Sequence, residues 1–293
     1  MKPTSNRFLA AFALLVFMFY GCNKAADYEN QIIPQNGDTT TFTSHVYGVL
    51  PTTDEMVKDL LVFSKESIPI SKQLEALPVS LKLTTPAVRD QGQIGSCTAF
   101  CGAETDEMLY YYNKGYWSQV LSPAFLYYCE RVLILKQKIT ADNGAYMVNI
   151  PQALQKYGDC LETSYPYPVS NKSTAYKTPP TSAAMTEGLV YKIGSNYGLV
   201  ATGDVTAVKT LLSGNTPVMM GFNVYDNSSY TLFEGLNSAS NCTYNPLTTS
   251  GALLPGARLL GGHATPIVGW DDSQAGGKGA FLVMNSWGTS WGN

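Results

Sequence analysis

Histidine is almost absent from this chain, with two among 293 residues. Any imidazole chemistry must therefore use His45 or His263. Neither belongs to a compact ligand cluster and Cys-x-x-Cys does not occur, so the ligand spacing of a structural zinc site is missing and no metal is expected. Charge is scarce as well, at 14% of residues, with 19 basic against 22 acidic side chains and a net charge of -3. With no Lys/Arg cluster beyond the first few residues, electrostatic attraction to nucleic acid is not supported. No cofactor is implied by any motif. The longest apolar run, Phe8 to Gly21, is too short to span a bilayer comfortably.

What the chain does hold is 45% hydrophobic and 12% aromatic residues, enough for a sizeable core in one two-lobed domain with a short N-terminal attachment. Lys2 and Arg7 ahead of the apolar run mark an export signal. Gly21-Cys22 follows at once and resembles the lipobox of bacterial lipoproteins. That resemblance implies residues 1–22 as a signal with Cys22 acylated, and a mature protein lipid-anchored at the membrane of the cell envelope, periplasmic or surface-exposed. Residues 23–76 are polar and turn-rich, as in Pro34-Gln35-Asn36-Gly37, and are expected to form a tether or a short pro-segment. Within them, Thr53 or Asp54 can cap an amphipathic helix through Met56, Leu60, Leu61 and Phe63, which either covers a cleft or packs on the outside of the domain.

The domain proper is expected over 77–293. Its first clear signal is the turn Gln91-Gly92-Gln93-Ile94-Gly95, then Ser96 and a helix-forming run from Cys97 to Tyr112. Ser96 as N-cap puts Cys97 in the first helical turn. Unpaired N–H groups and the positive end of the helix dipole favour a thiolate there, and a neighbouring imidazolium favours it more. An isolated cysteine in such a place is more often a small core residue, which is the reading kept for Cys101 one turn later.

Near the other end, His263 follows Gly261-Gly262, a pair that permits close approach of another backbone, and opens an apolar-rich strand to Trp270. A loop over Asp271 to Gly277 would return the chain. An unbulged antiparallel pairing of 263–270 with 278–285 sets His263 directly opposite Asn285, within hydrogen-bonding reach. Pro266 would interrupt such a ladder, and a bulge there shifts the register.

Taken together, Gln91-Gly92-x-x-Gly95-Ser96-Cys97-x-Ala99-Phe100, Gly262-His263-Ala264 and Asn285-Ser286-Trp287-Gly288-x-x-Trp291-Gly292 resemble the papain-like cysteine peptidases, in the same order along the chain. Ser122 to Cys129, Ala153-Leu154-x-x-Tyr157-Gly158, Tyr165-Pro166-Tyr167 and Thr216-Pro217-Val218 extend the likeness over about residues 77 to 293. The resemblance implies an α+β, two-lobed fold: a helical lobe carrying Cys97, a β-barrel-like lobe carrying His263 and Asn285, and a peptide-binding cleft between them. It further implies a Cys97 thiolate that attacks a peptide carbonyl, His263 as acid and base, and a thioester intermediate. Asn285 would orient the imidazole, Trp287 would shield that bond, and the Gln91 side chain with the Cys97 N–H would hold the oxyanion. Gly144 is carried over as a contact to the substrate backbone. The implied partner is a peptide or protein substrate, acted on by a monomer. A catalytically inactive surface binding lipoprotein on the same scaffold, or an acyl transferase, would carry the same residues.

The pattern has departures. Ile94 stands where relatives often have a disulfide cysteine, and Thr98 where an aromatic residue is usual. The gaps of 166 residues from Cys97 to His263 and 188 to Asn285 imply insertions, which loops absorb. Relatives continue into further barrel strands beyond the position of Asn293, so a C-terminal truncation is expected. Cys101, Cys129, Cys160 and Cys242 can pair in three ways, and no pairing is readable. Sequons at Asn171, Asn227 and Asn241 are chance in a bacterial lipoprotein.

Overall fold

A computed structural model describes residues 12–16, 46–63, 76–168, 175–194, 197–227, 233, 236 and 242–292. In chain order its elements are β1 (Phe12–Val16), α1 (Asp54–Val57), β2 (Leu61–Phe63), β3 (Ser80–Lys82), α2 (Cys97–Lys114), α3 (Pro123–Tyr128), α4 (Asn149–Lys156), α5 (Ser182–Gly188), β4 (Tyr197–Val200), α6 (Val205–Ser213), β5 (Val218–Asn227), β6 (Ala257–Asp271), α7 (Gln274–Gly277) and β7 (Ala280–Val283). The helices from α2 to α5 make one lobe and the sheet makes the other.

The helix expected at Cys97 begins there and runs to Lys114, where Gly115 at φ 82° ends it with its N–H on the Tyr111 carbonyl. It is buried on all sides from Cys97 to Leu109, which is why its sequence lacks a polar stripe. Met108 packs in the sheet-side core, while Cys97, Ala99, Cys101 and Ala103 pack with Phe125, Leu126, Ile150 and Leu154. Ser122 caps α3 by accepting from the Phe125 N–H, with Pro123 in the first turn. A π-helical turn, Cys129–Ile134, continues α3 and brings Glu130 and Arg131 inside.

Among the described residues the strands form one sheet in the order β2-β4-β1-β5-β6-β3, with β7 on β6. One expectation is corrected. Residues 54–63 do not form one helix: α1 is a single turn and Leu61–Phe63 is an edge strand parallel to β4. β-branched and aromatic residues there favour pairing with an available edge over helix propagation. Residues 12–16, within the expected export signal, form β1, parallel to both β4 and β5. Phe-Ala-Leu-Leu-Val is the continuous apolar run that a central parallel strand requires. Cys22, Asn171 and Asn241 lie outside the described residues.

Candidate active site

Three separated segments converge where α2 meets β6. The turn before α2 is clamped to the chain end beyond β7: Gln91 donates its N–H to the Ser286 carbonyl at 2.8 Å, Gly288 donates to the Arg89 carbonyl at 3.0 Å, and Asp90 bridges Trp287. The Gln91 side chain is wholly buried, and its amide oxygen accepts from the Ser286 hydroxyl at 2.7 Å. Its amide nitrogen donates to the Ile94 carbonyl at 3.0 Å and to the Val46 carbonyl at 3.1 Å.

Ser96 precedes the helix as expected but makes no side-chain cap. Its hydroxyl lies 2.7 Å from the Tyr167 hydroxyl, which donates to the Gln91 carbonyl at 2.8 Å. The cap is lost because the Ser96 hydroxyl is turned to the half-buried Tyr167 phenol and away from the helix N–H groups. Tyr167 thereby ties the nucleophile turn to the helical lobe, a role its motif alone did not reveal.

His263 sits in β6, paired with Phe222 of β5, and its Nε2 is 2.8 Å from the Asn285 Oδ1. The two residues meet, but the register that brings them together differs from the unbulged one. Gly269 faces Leu282 and Ile267 faces Val283, with a bulge at Val268 between them, so the pairing is already displaced by three residues at the return loop and by two at Ile267. Carried along the strand, that register sets Trp287 opposite His263, and the rings are 4.9 Å apart. Asn285 reaches the imidazole diagonally. The Ser286 N–H also donates to the Asn285 Oδ1, at 2.9 Å, which fixes the amide orientation.

Cys97 is fully buried, with the backbone N–H groups of Gly48, Ala264 and Thr98 acting to lower its thiol. Burial pushes the thiol up to about 11, against the lowering effect of those three donors and with a further rise from the Glu130 carboxyl. A thiolate favoured by its helix terminus is therefore not what this arrangement holds. The cause is the cover. Residues 46–50 run through the groove: Val49 donates to the Gly262 carbonyl, Leu50 to the Ala145 carbonyl, and Ala145 to the Gly48 carbonyl, each at 2.9 Å. Tyr47 lies edge-on to His263 and against Trp287, both at 5.9 Å.

The approach is possible only because glycines meet. A Cβ on Gly48 would stand 1.8 Å from the Gly95 carbonyl oxygen, one on Gly144 1.9 Å from the Gly48 oxygen, and one on Gly262 2.4 Å from the Val49 oxygen. Gly144 also has φ 71°. It supplies clearance, while the backbone bonds to the strand in the groove come from Ala145, one residue on. Cys97, Cys101, Cys129 and Cys160 are buried free thiols. Glu104, Glu107 and Glu130 are buried carboxyls in the helical lobe, and burial pushes them up to about 8, 7 and 8, although the Arg89 guanidinium, 3.2 Å from Glu107, acts the other way on the first two.

Residues 80–293 match the family model described as papain family cysteine protease. Among curated relatives, an uncharacterized peptidase C1-like protein of Acanthamoeba polyphaga mimivirus is 28% identical over 69% of this chain and 60% of its own. A cathepsin L-like proteinase of Fasciola hepatica is 27% identical over 70% of this chain and 53% of its own. The chain thus spans less than two thirds of either relative. The crystal structure of xylellain, a cysteine protease from Xylella fastidiosa, superposes with a TM-score of 0.63 at 26% identity, over 85% of this chain and 87% of that one. A digestive procathepsin L from the larval midgut of Tenebrio molitor shares the fold, with a TM-score of 0.54 at 20% identity over 77% of this chain and 65% of that one.

Proposed function

Because the chain belongs to the papain family of cysteine proteases, we propose that it is a cysteine-type peptidase that hydrolyses peptide bonds through Cys97, His263 and Asn285, held latent by its own residues 46–50. The observation that carries this reading is the backbone of residues 46–50 already in the groove, with the Val46 carbonyl on the Gln91 amide and the Val49 and Leu50 N–H groups on the Gly262 and Ala145 carbonyls. Peptide backbone is the ligand this groove is shaped for.

Once the segment lifts, water and substrate reach the sulfur, and the burial that keeps the thiol protonated is relieved. With Nε2 committed to Asn285, Nδ1 is the nitrogen that takes the thiol proton. The thiolate attacks the carbonyl carbon and the oxyanion forms against the Gln91 Nε2 and the Cys97 N–H. His263 then protonates the departing amine, and water cleaves the thioester with His263 as base. Trp287 covers the His263–Asn285 bond.

Peptide-library cleavage by the full chain tests both halves. Wild type is expected to cleave slowly, Cys97→Ala not at all. Gly48→Ala, whose new methyl cannot share space with the Gly95 carbonyl, should cleave at least about tenfold faster, since each roughly 1.4 kcal/mol taken from the closed state is a factor of ten. No cleavage by any form, with Cys97 inert to iodoacetamide in Gly48→Ala, would sink the proposal.

The same proposal places the mature protein at the cell envelope, anchored through an acylated Cys22, on the strength of Lys2, Arg7, the apolar run and Gly21-Cys22. Cleavage before Cys22 removes β1, so β4 and β5 of the mature sheet would no longer share that neighbour. Metabolic labelling with a palmitate analogue should mark the wild type and spare Cys22→Ser; equal labelling of both rejects the anchor.

A further inference from the structure

Directly behind the nucleophile, the first turn of α2 meets a buried acid from another helix. The Thr98 hydroxyl donates to the Glu130 Oε2 at 2.6 Å, and both residues are fully buried. The Glu130 Oε1 has no hydrogen-bond partner. Thr98 directly follows Cys97 in the first turn of α2, and its backbone N–H acts to lower the thiol. A polar pair thus stands where the family pattern has an aromatic residue after the nucleophile.

Resting on the peptidase reading, we infer that Glu130 is a positioning residue for Cys97: while neutral it holds Thr98, the next residue in the first turn of α2, and when ionised it opposes the thiolate. An ionised carboxylate with one oxygen unpaired in the interior is costly, so the neutral acid is the resting form. Burial pushes Glu130 up to about 8, while the Thr98 bond and Arg131 act the other way. Its charge in turn pushes the Cys97 thiol up.

The other groups around Glu130 leave it in this role. From α2 it faces Cys97, Thr98 and Cys101; on its own turn lie Cys129 and Arg131. The Arg131 guanidinium is spent on the Ala141 and Tyr176 carbonyls and lies over the Tyr127 and Tyr176 rings. From α3, Tyr127 turns its hydroxyl to Asp142. The charged side chain of α4, Lys156, is exposed over Tyr157. Glu130 and Cys97 therefore titrate as a coupled pair, in which either charge suppresses the other.

The test is a pH titration of the Cys97 Cβ resonance in the full chain labelled with 13C-cysteine, the signal assigned by its loss in Cys97→Ser. Wild type should titrate in two steps. Glu130→Gln, which keeps an acceptor for Thr98, should leave one step with its midpoint lower by about one pH unit. Thr98→Val should move the carboxyl step to higher pH, and Thr98→Ser should restore it. A purely structural role would lower thermal stability in these variants without moving the steps. Superimposable curves for wild type and Glu130→Gln overturn the inference. If Glu130→Gln does not fold, identical curves for Thr98→Val and Thr98→Ser overturn it instead. Curves that move as expected in a chain that cleaves no peptide leave this inference standing and remove the peptidase reading; cleavage with unmoved curves does the reverse.

Discussion

Around Cys97 the neighbours are backbone amides and buried polar groups, whereas around His263 they are aromatic rings. Trp287, Phe233, Phe222 and Tyr47 stand 4.9, 5.7, 5.8 and 5.9 Å from the imidazole, and one amide oxygen fixes its far nitrogen. Packing of that kind holds a ring in place at any pH. The sulfur instead depends on what covers it and on which carboxyls nearby carry charge. On the proposed reading, the base would be preorganised in the covered chain and the nucleophile would not, so that latency would act on the partner whose charge state depends on its cover.

Gln91 belongs to both walls, and its removal is the strongest way to break the contrast. Its Nε2 faces the groove and its Oε1 takes the Ser286 hydroxyl beside Asn285. In an uncovered form such as Gly48→Ala, Gln91→Ala should lower kcat by roughly 10² to 10³ with little change in KM, the loss of one oxyanion donor. Ser286→Ala should cost far less, because the imidazole retains Asn285 and its aromatic neighbours. Equal losses in the two variants would mean that Gln91 acts by bracing the strand and not by meeting the oxyanion.

Much of this site could be read before any coordinates. The order Gln91, Cys97, His263, Asn285, the start of α2 at Cys97 and the meeting of His263 with Asn285 all follow from local chemistry, a turn feeding a helix and two strands returning on each other. The register could not be read, since neither the length of the return loop between Asp271 and Ala280 nor the bulge at Val268 leaves a distinct residue signature. Nor could the cover over the groove. Gly261-Gly262 signalled a close backbone approach, but nothing marked Gly48 as what approaches, and Tyr47 resembles any tether aromatic. Ser96 misled because its capping hydroxyl was claimed by Tyr167, some 70 positions along the chain.

The contrast between lobes extends to stability. The helical lobe buries Glu104, Asp106, Glu107, Glu130 and Asp159, and burial pushes all five carboxyls up, Asp106 and Asp159 well above the usual range. On the sheet lobe, exposed Asp271 is moved the opposite way, held down by bonds from Ser273 and Gln274. For the buried set the folded chain binds more protons than the unfolded one between the ordinary carboxylate range near pH 4 and the folded values near 7 to 8. Their contribution is whole below that window and is lost as pH rises through it. Asp271 runs in reverse, but an exposed group contributes little. Thermal unfolding of the Cys97→Ala chain should therefore show a midpoint that falls by a few degrees from mildly acidic to mildly alkaline buffer. Combining Glu104→Gln with Asp159→Asn should flatten that slope, while Asp271→Asn should leave it. A midpoint that rises with pH would show that the Arg89 ion pair outweighs burial in setting the charge of this lobe.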